Sequence, residues 1–133
     1  MRLLVDTGIF SASLSQRGRP GYDRLVARLT GHQLFLAAPT VAELRYGALV
    51  ADWGKTRRER LEAAMAATTV VPVTDALLSA VAELRLSCRR IGHPLAGSAH
   101  SSDLWIAASA IGIRAVLITA DQIFASTPGL SIA

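Results

Sequence analysis

Four acidic residues stand at the edges of apolar segments, where a charged side chain has little packing role. They are Asp6 after Leu3-Leu4-Val5, Glu43 in Pro39-Thr40-Val41-Ala42-Glu43, Asp103 before Leu104-Trp105-Ile106, and Asp121 after Leu117-Ile118-Thr119-Ala120. Each has a simple structural explanation as a helix cap, a turn cap or a solvated residue. If the fold brings all four together, their mutual repulsion favours a cation between them. The acids therefore define a candidate metal site.

The donor atoms available at such a site favour Mg²⁺ or Mn²⁺ over Zn²⁺, because the ligands would all be carboxylate oxygens. Cys88 is the only cysteine, and the three histidines are too scattered in the sequence for a zinc triad. His100 lies three residues before Asp103 and could contact a substrate. The sequence contains no Gly-x-Gly-x-x-Gly or Walker lysine motif that would indicate a nucleotide cradle.

The charge balance indicates what such a site would act on. The chain has 14 basic and 10 acidic residues, so 14 basic and six acidic residues remain when the four acids are set aside. Thirteen of the basic residues are arginines, which favour bidentate contacts with phosphate. A basic surface around an acidic cleft suits a polyanion such as a nucleic acid, although basic surfaces also serve solubility.

The length of 133 residues and the apolar content of 51% predict one domain, residues 1–133, with a full hydrophobic core. We expect no membrane span, because the most apolar stretch, residues 104–119, is interrupted by Gly112 and Arg114. The short N-terminal apolar run and the single cysteine favour a cytoplasmic protein.

Alternating apolar segments predict an α/β fold with a mostly parallel sheet of four to five strands and helices on both faces. The predicted strands are 2–6, 34–37, 68–73, 115–119 and a final edge strand at 130–132. The predicted helices are 7–15, 22–30, 39–50, 55–67, one from about 75 to 91, and 103–111 capped by Ser101 or Ser102. Residues 95–100 are predicted to be a loop and 120–126 a turn.

This topology predicts that the four acids meet. Ligands of open parallel sheets bind at the carboxyl ends of the strands. Asp6 and Asp121 follow strands, whereas Glu43 and Asp103 lie near the starts of helices. A helix that follows a strand begins at that same edge, so all four acids belong there.

These segments also resemble those of PIN-domain ribonucleases, specifically the VapC-type toxins of toxin–antitoxin pairs. The resemblance covers essentially the whole chain. It rests on Leu4-Val5-Asp6-Thr7, Pro39-Thr40-Val41-Ala42-Glu43-Leu44 with Gly47, Asp103-Leu104-Trp105-Ile106-Ala107-Ala108, and Thr119-Ala120-Asp121 with Phe124 and Pro128-Gly129-Leu130. It implies a three-layer PIN-like domain, an Mg²⁺- or Mn²⁺-dependent endoribonuclease activity, homodimerisation and inhibition by a VapB-like antitoxin. The family often has an acid before the phenylalanine that matches Phe124, whereas this chain has Ile123.

The hypothesis for the mechanism is metal-assisted hydrolysis of RNA phosphodiesters by water, without the 2′-hydroxyl as nucleophile. Asp6 and Asp103 would bind the ion most directly, and Glu43 and Asp121 would complete the set. Thr119, and also Thr7, could orient the water or a carboxylate. A groove for the antitoxin could lie on residues 39–67, and Trp53 is a better candidate for a partner contact than Trp105.

Two other classes of function are compatible with the same residues. The first is a catalytically silent PIN-like module that binds RNA or protein, which the departure at Ile123 allows. The second is a phosphoryl-transfer enzyme with Asp6 as nucleophile. Such enzymes commonly have a second acid two residues later, and here that position is Gly8.

Overall fold

The computed structural model describes residues 1–133 and contains a five-stranded sheet in which every pairing is parallel. The strands are β1 (Arg2–Val5), β2 (Gln33–Leu36), β3 (Thr69–Val70), β4 (Val116–Ile118) and β5 (Ser131–Ile132), in the spatial order β3-β2-β1-β4-β5. The helices are α1 (Thr7–Ser13), α2 (Asp23–Ala27), α3 (Ala38–Val50), α4 (Lys55–Ala66), α5 (Asp75–Arg90) and α6 (Ser101–Gly112). Short 3₁₀ turns lie at Pro94–Ala96, Ser98–His100 and Gln122–Phe124.

The sheet is the middle of three layers, because alternate residues of its strands enter two separate hydrophobic clusters. Leu4 of β1 packs with α5 and α6, whereas Leu3 and Val5 pack with α1, α3 and α4 on the opposite face. Fully buried β1 residues on both faces explain why this strand reads as a continuous apolar run. The predicted fold class, with helices on both faces of the sheet, is confirmed.

Several predicted boundaries were wrong. The third strand extends only over Thr69–Val70, because Pro72 has no N–H with which to continue the ladder. The second helix covers only Asp23–Ala27. Residues 95–100, expected to be a loop, lie mostly in two 3₁₀ turns, Pro94–Ala96 and Ser98–His100. The expected serine cap of α6 was also wrong: the helix begins at Ser101, and its N-cap residue His100 makes no capping hydrogen bond.

The arrangement of strands determines where functional groups can gather. β1 lies at the centre of the sheet between β2 and β4, and the carboxyl ends of all three face the same edge. α1 begins directly after β1, and α3 begins directly after β2. None of the helices has both the length and the apolar character needed to cross a membrane.

Candidate functional site

A cleft of about 300 Å³ opens at the carboxyl edge of the sheet, and all four predicted acids line it. Its remaining lining residues come mainly from the start of α1 and from the segment after β4. The acidic residues of the lining are Asp6, Glu43, Asp103 and Asp121. The acids are thus brought to one place, as the parallel topology predicts.

Asp6 lies at the base of this cleft and is only 8% exposed. One of its carboxylate oxygens accepts a hydrogen bond of 2.8 Å from the backbone N–H of Ile9, so Asp6 is also the N-cap of α1. The other oxygen accepts a short hydrogen bond from the hydroxyl of Thr119. One oxygen of Asp6 thus serves the helix cap and the other bonds to Thr119, whereas cation binding by Asp6 stays a prediction.

Thr119 connects two of the acids. Its hydroxyl donates to Asp6 and accepts a hydrogen bond of 3.0 Å from the backbone N–H of Asp121. The predicted hydrogen bond from Thr119 to a carboxylate is confirmed. The Thr7 hydroxyl donates to the Thr40 hydroxyl at 3.1 Å rather than to a carboxylate, and Thr7 lines the cleft, so its expected role in orienting water stays a prediction.

Asp103 is in the first turn of α6, half-buried, with one oxygen 3.5 Å from Nδ1 of His100. Glu43 lies in the second turn of α3, further into the helix than the sequence indicated. Asp121 follows β4 and caps the next 3₁₀ turn by accepting a hydrogen bond from Ile123 N–H. The Ile123 side chain packs against the core, so the fourth acidic position depends on Asp121 alone.

The electrostatics of the cleft reflect burial and mutual repulsion. Burial raises the pKa of Asp6 above its ordinary value, the hydrogen bonds from Thr119 and Ile9 lower it, and the charges of Asp121 and Asp103 raise it. Burial also raises the pKa of Asp103, as do the charges of Asp121 and Glu43, whereas His100 opposes the shift. Ionised carboxylates in this cleft would be stabilised by a cation.

The donor set fits a hard divalent cation, because it consists of carboxylate and hydroxyl oxygens without a thiolate. The arrangement is not a preformed cage: no three His, Cys, Asp or Glu side chains stand at the mutual spacing of metal ligands. Binding would therefore require side-chain movement or added water ligands.

Two features of the cleft were not predicted from the sequence. Tyr22 lines it beside Gly8, and the Arg19 guanidinium lies 4.4 Å from the centre of the Tyr22 ring. Both residues lie between α1 and α2. Arg19 is in a Gly- and Pro-rich stretch that indicated only a loop, and Tyr22 was predicted to begin the second helix, whereas it precedes that helix as its N-cap residue.

The buried cysteine and the two tryptophans have roles outside this cleft. Burial raises the pKa of the Cys88 thiol, which lies in the core as an unreactive thiol would. Trp105 packs against the core cluster that contains α5 and α6. Trp53 is half-buried and carries the Arg57 guanidinium 3.8 Å above its ring.

Comparisons with known proteins agree with this architecture. The chain is similar to VapBC2 from Rickettsia felis, bound to a promoter DNA fragment, with 21% identity and a TM-score of 0.80 over 100% of this chain and 98% of the other. It is similar to VapBC-1 from nontypeable Haemophilus influenzae, with 24% identity and a TM-score of 0.77 over 100% of this chain and 97% of the other. It is also similar to a toxin–antitoxin complex from Klebsiella pneumoniae, with 22% identity and a TM-score of 0.69 over 98% of this chain and 95% of the other.

Curated proteins provide no match to the chain. The family comparison is decisive, because the profile of the PIN domain matches residues 3–130, nearly the entire chain. The matched region includes β2, β3 and β4, all of β1 except Arg2, and the four acids of the cleft, whereas β5 lies just beyond it. The chain therefore belongs to the PIN domain family.

Proposed function

We propose that this protein is an Mg²⁺- or Mn²⁺-dependent endoribonuclease and the toxin of a VapBC-like toxin–antitoxin pair. The observation that carries the proposal is the convergence of four acids in one cleft at the carboxyl edge of a parallel sheet. Membership of the PIN domain family supports it, as does similarity over the full chain to VapBC2 and VapBC-1.

Asp6 and Asp103 would hold the cation most directly, with Glu43 and Asp121 completing the set. When bound, the cation would lower the pKa of a water ligand and offset the charge that develops on the phosphate. The protein's own contribution is positional: Thr119 fixes one oxygen of Asp6, and the α1 backbone fixes the other. Both carboxylate oxygens are thereby held before a substrate arrives.

The RNA specificity is part of the proposal and depends on the surrounding charge. Fourteen basic residues and a net charge of +4 favour a polyanionic substrate. We assign the attacking group to water rather than to the RNA 2′-hydroxyl, because a cation held by the carboxylate cluster would activate a bound water. No histidine lines the cleft, and the nearby His100 lies 3.5 Å from Asp103.

The partners in this proposal are a VapB-like antitoxin and a second copy of the chain in a homodimer, acting in the cytoplasm. The antitoxin would inhibit by placing a basic side chain in the acidic cleft. The simplest support would be the discovery of a short antitoxin-like reading frame beside the gene. Coexpression of that product should suppress RNA cleavage and growth arrest.

The substitution Asp6→Asn tests the catalytic assignment. It keeps the shape of the side chain and an oxygen for the Ile9 N–H, but it removes the charge, so we expect a loss of RNA cleavage of about 100-fold or more. Asp52→Asn is the matched control, because Asp52 is exposed, lies outside the cleft, and has a positive φ of 52° that asparagine tolerates. Full cleavage by a folded Asp6→Asn variant would refute the mechanism.

A catalytically silent PIN-like module is the second candidate, and two observations favour it. No three carboxylates stand at ligand spacing, and Ile123 occupies a position where the family often has an acid. RNA binding without metal-dependent cleavage by the purified wild-type chain would select this candidate.

A further inference from the structure

A second, larger cleft of about 700 Å³ lies beside the acidic one, between the end of α1, the middle of α3 and the start of α4. Its charged lining residues are all arginines, namely Arg17, Arg57 and Arg60. Polar residues such as Ser11, Gln16 and Thr56 line it as well. We call it the arginine cleft.

The three arginines have no acidic partners. The ion pairs of the molecule join Arg45 to Glu62, Lys55 to Glu59, and His100 to Asp103, and none includes an arginine of this cleft. All three side chains belong to exposed residues. The cleft therefore carries three uncompensated positive charges, which favour an anionic occupant.

Trp53 forms the aromatic part of the arginine cleft, and the Arg57 guanidinium lies 3.8 Å from the centre of its ring. A guanidinium held flat on an aromatic ring can stack on a base and contact a phosphate at once. The acidic cleft has a similar pair, in which Arg19 lies over Tyr22. An aromatic–arginine pair thus borders each cleft.

The two clefts adjoin along two shared helices. Glu43 of α3 lines the acidic cleft, and the next residue, Leu44, lines the arginine cleft. On α1, Ile9 lines the first and Ser11 the second. The two clefts therefore share α1 and α3 as walls.

We propose that the arginine cleft is a subsite for single-stranded RNA, which holds nucleotides flanking the scissile phosphodiester by base stacking on the Trp53–Arg57 pair and phosphate contacts with Arg17 and Arg60. The inference rests on the proposed function and adds the location of the flanking nucleotides. Single strands suit this cleft because stacking needs unpaired bases. An acidic antitoxin segment is the competing occupant, since the sequence predicts an antitoxin groove on residues 39–67, and it is an outcome of the test below.

Equilibrium binding tests the subsite separately from cleavage. A fluorescein-labelled single-stranded RNA of mixed sequence is titrated with protein in EDTA, in the Asp6→Asn background, and anisotropy is read. Arg57→Ala should weaken binding about fivefold or more, the low end of base-stacking effects, and lower the slope of log affinity against log salt by about 0.7. Arg58→Ala is the matched control: the neighbouring exposed arginine on α4 lines a different cleft.

The fluorescence of Trp53 gives a second readout that does not depend on net charge. In a Trp105→Phe background, Trp53 is the only tryptophan, and RNA should quench its emission. Equal RNA affinities for the Arg57→Ala and Arg58→Ala variants, with no quenching, would overturn the subsite while leaving the nuclease proposal intact. The subsite would also be overturned if Arg57→Ala left RNA affinity unchanged and instead weakened binding of a purified antitoxin from an adjacent reading frame. A wild-type chain that neither binds nor cleaves the RNA removes both proposals.

Discussion

The hydroxyl of Thr119 is the contact that joins the two acids following β1 and β4. It donates to the Asp6 carboxylate and accepts from the Asp121 backbone, so it orients one acid and anchors the segment that carries another. A group that fixes a metal-binding carboxylate in this way commonly changes metal affinity or activity when it is removed. Thr119 is therefore a positioning residue in the proposed reaction.

Thr119→Val tests that role, because valine keeps the shape of threonine and removes the hydroxyl. We expect RNA cleavage to fall about 10–100-fold, with a higher Mg²⁺ or Mn²⁺ concentration needed for half-maximal rate. Cleavage rates over a metal titration measure both effects. Thr119→Ser retains the hydroxyl and should recover most of the activity. Equal rates for the valine variant and the wild type would contradict the assignment.

The raised pKa values of Asp6 and Asp103 have a consequence for stability. Burial is the largest cause of both shifts, so each carboxyl holds its proton more tightly in the folded than in the unfolded chain. At pH values between the ordinary and the raised pKa, the folded state therefore binds more protons than the unfolded state. The stability that these groups contribute decreases as the pH rises through that interval. At neutral pH without metal, their charges destabilise the fold.

Asp103→Asn should therefore raise the melting temperature in EDTA at neutral pH, and this gain should shrink as the pH falls toward the ordinary aspartate pKa. Thermal unfolding at several pH values measures the difference. The exposed Asp52→Asn variant should show no comparable gain. A lower melting temperature for Asp103→Asn than for the wild type at neutral pH would mean that the lost His100 contact outweighs the relief of repulsion.

At the scale of elements, the segment after Asp121 is held by a buried histidine. His93 Nε2 donates to the Ala125 carbonyl at 2.8 Å, and its Nδ1 accepts from the Leu95 N–H at 3.1 Å. Thr127 lies 3.4 Å from Nε2 and completes the set. This side chain thus ties the 3₁₀ turn after α5 to the segment that follows the fourth acid.

His93→Phe should destabilise the protein by about 1–3 kcal/mol, because it leaves the Ala125 carbonyl and the Leu95 N–H without their partner. Urea unfolding measures the change. His32→Phe, at an exposed histidine before β2, is the control and should change stability by much less. A His93→Phe variant as stable as the wild type would show that water replaces the lost hydrogen bonds.

How far the sequence predicts these elements depends on which interactions form them. β1, β2 and β4 were predicted because buried parallel strands are continuous apolar runs, and Asp6 lies at the strand end. The convergence of the acids follows from that topology. The partners of Thr7 and Tyr22 could not be predicted, because they depend on where α3 and the stretch after α1 come to lie. The early end of β3 was missed although Pro72 indicates it.

At the scale of the whole molecule, a chain of net positive charge surrounds a cleft in which acidic side chains repel one another. A cation that binds the folded state alone stabilises it by mass action, by about 2.7 kcal/mol at a concentration 100 times its dissociation constant. We therefore expect Mg²⁺ or Mn²⁺ to raise the melting temperature of the EDTA-treated protein by several degrees. Asp6→Asn and Asp103→Asn should reduce this shift, and Asp52→Asn should not. Equal shifts in all variants would place the ion elsewhere.

In the proposed function, the four-acid cleft cleaves RNA with a bound divalent cation and water. The most direct measurement is the rate of RNA cleavage by EDTA-treated protein as Mn²⁺ or Mg²⁺ is added back, with the ends of the products identified. We expect no cleavage in EDTA, saturable recovery with metal, and products without a 2′,3′-cyclic phosphate. Cleavage that persists in excess EDTA, or cyclic phosphate ends, would contradict the proposed function.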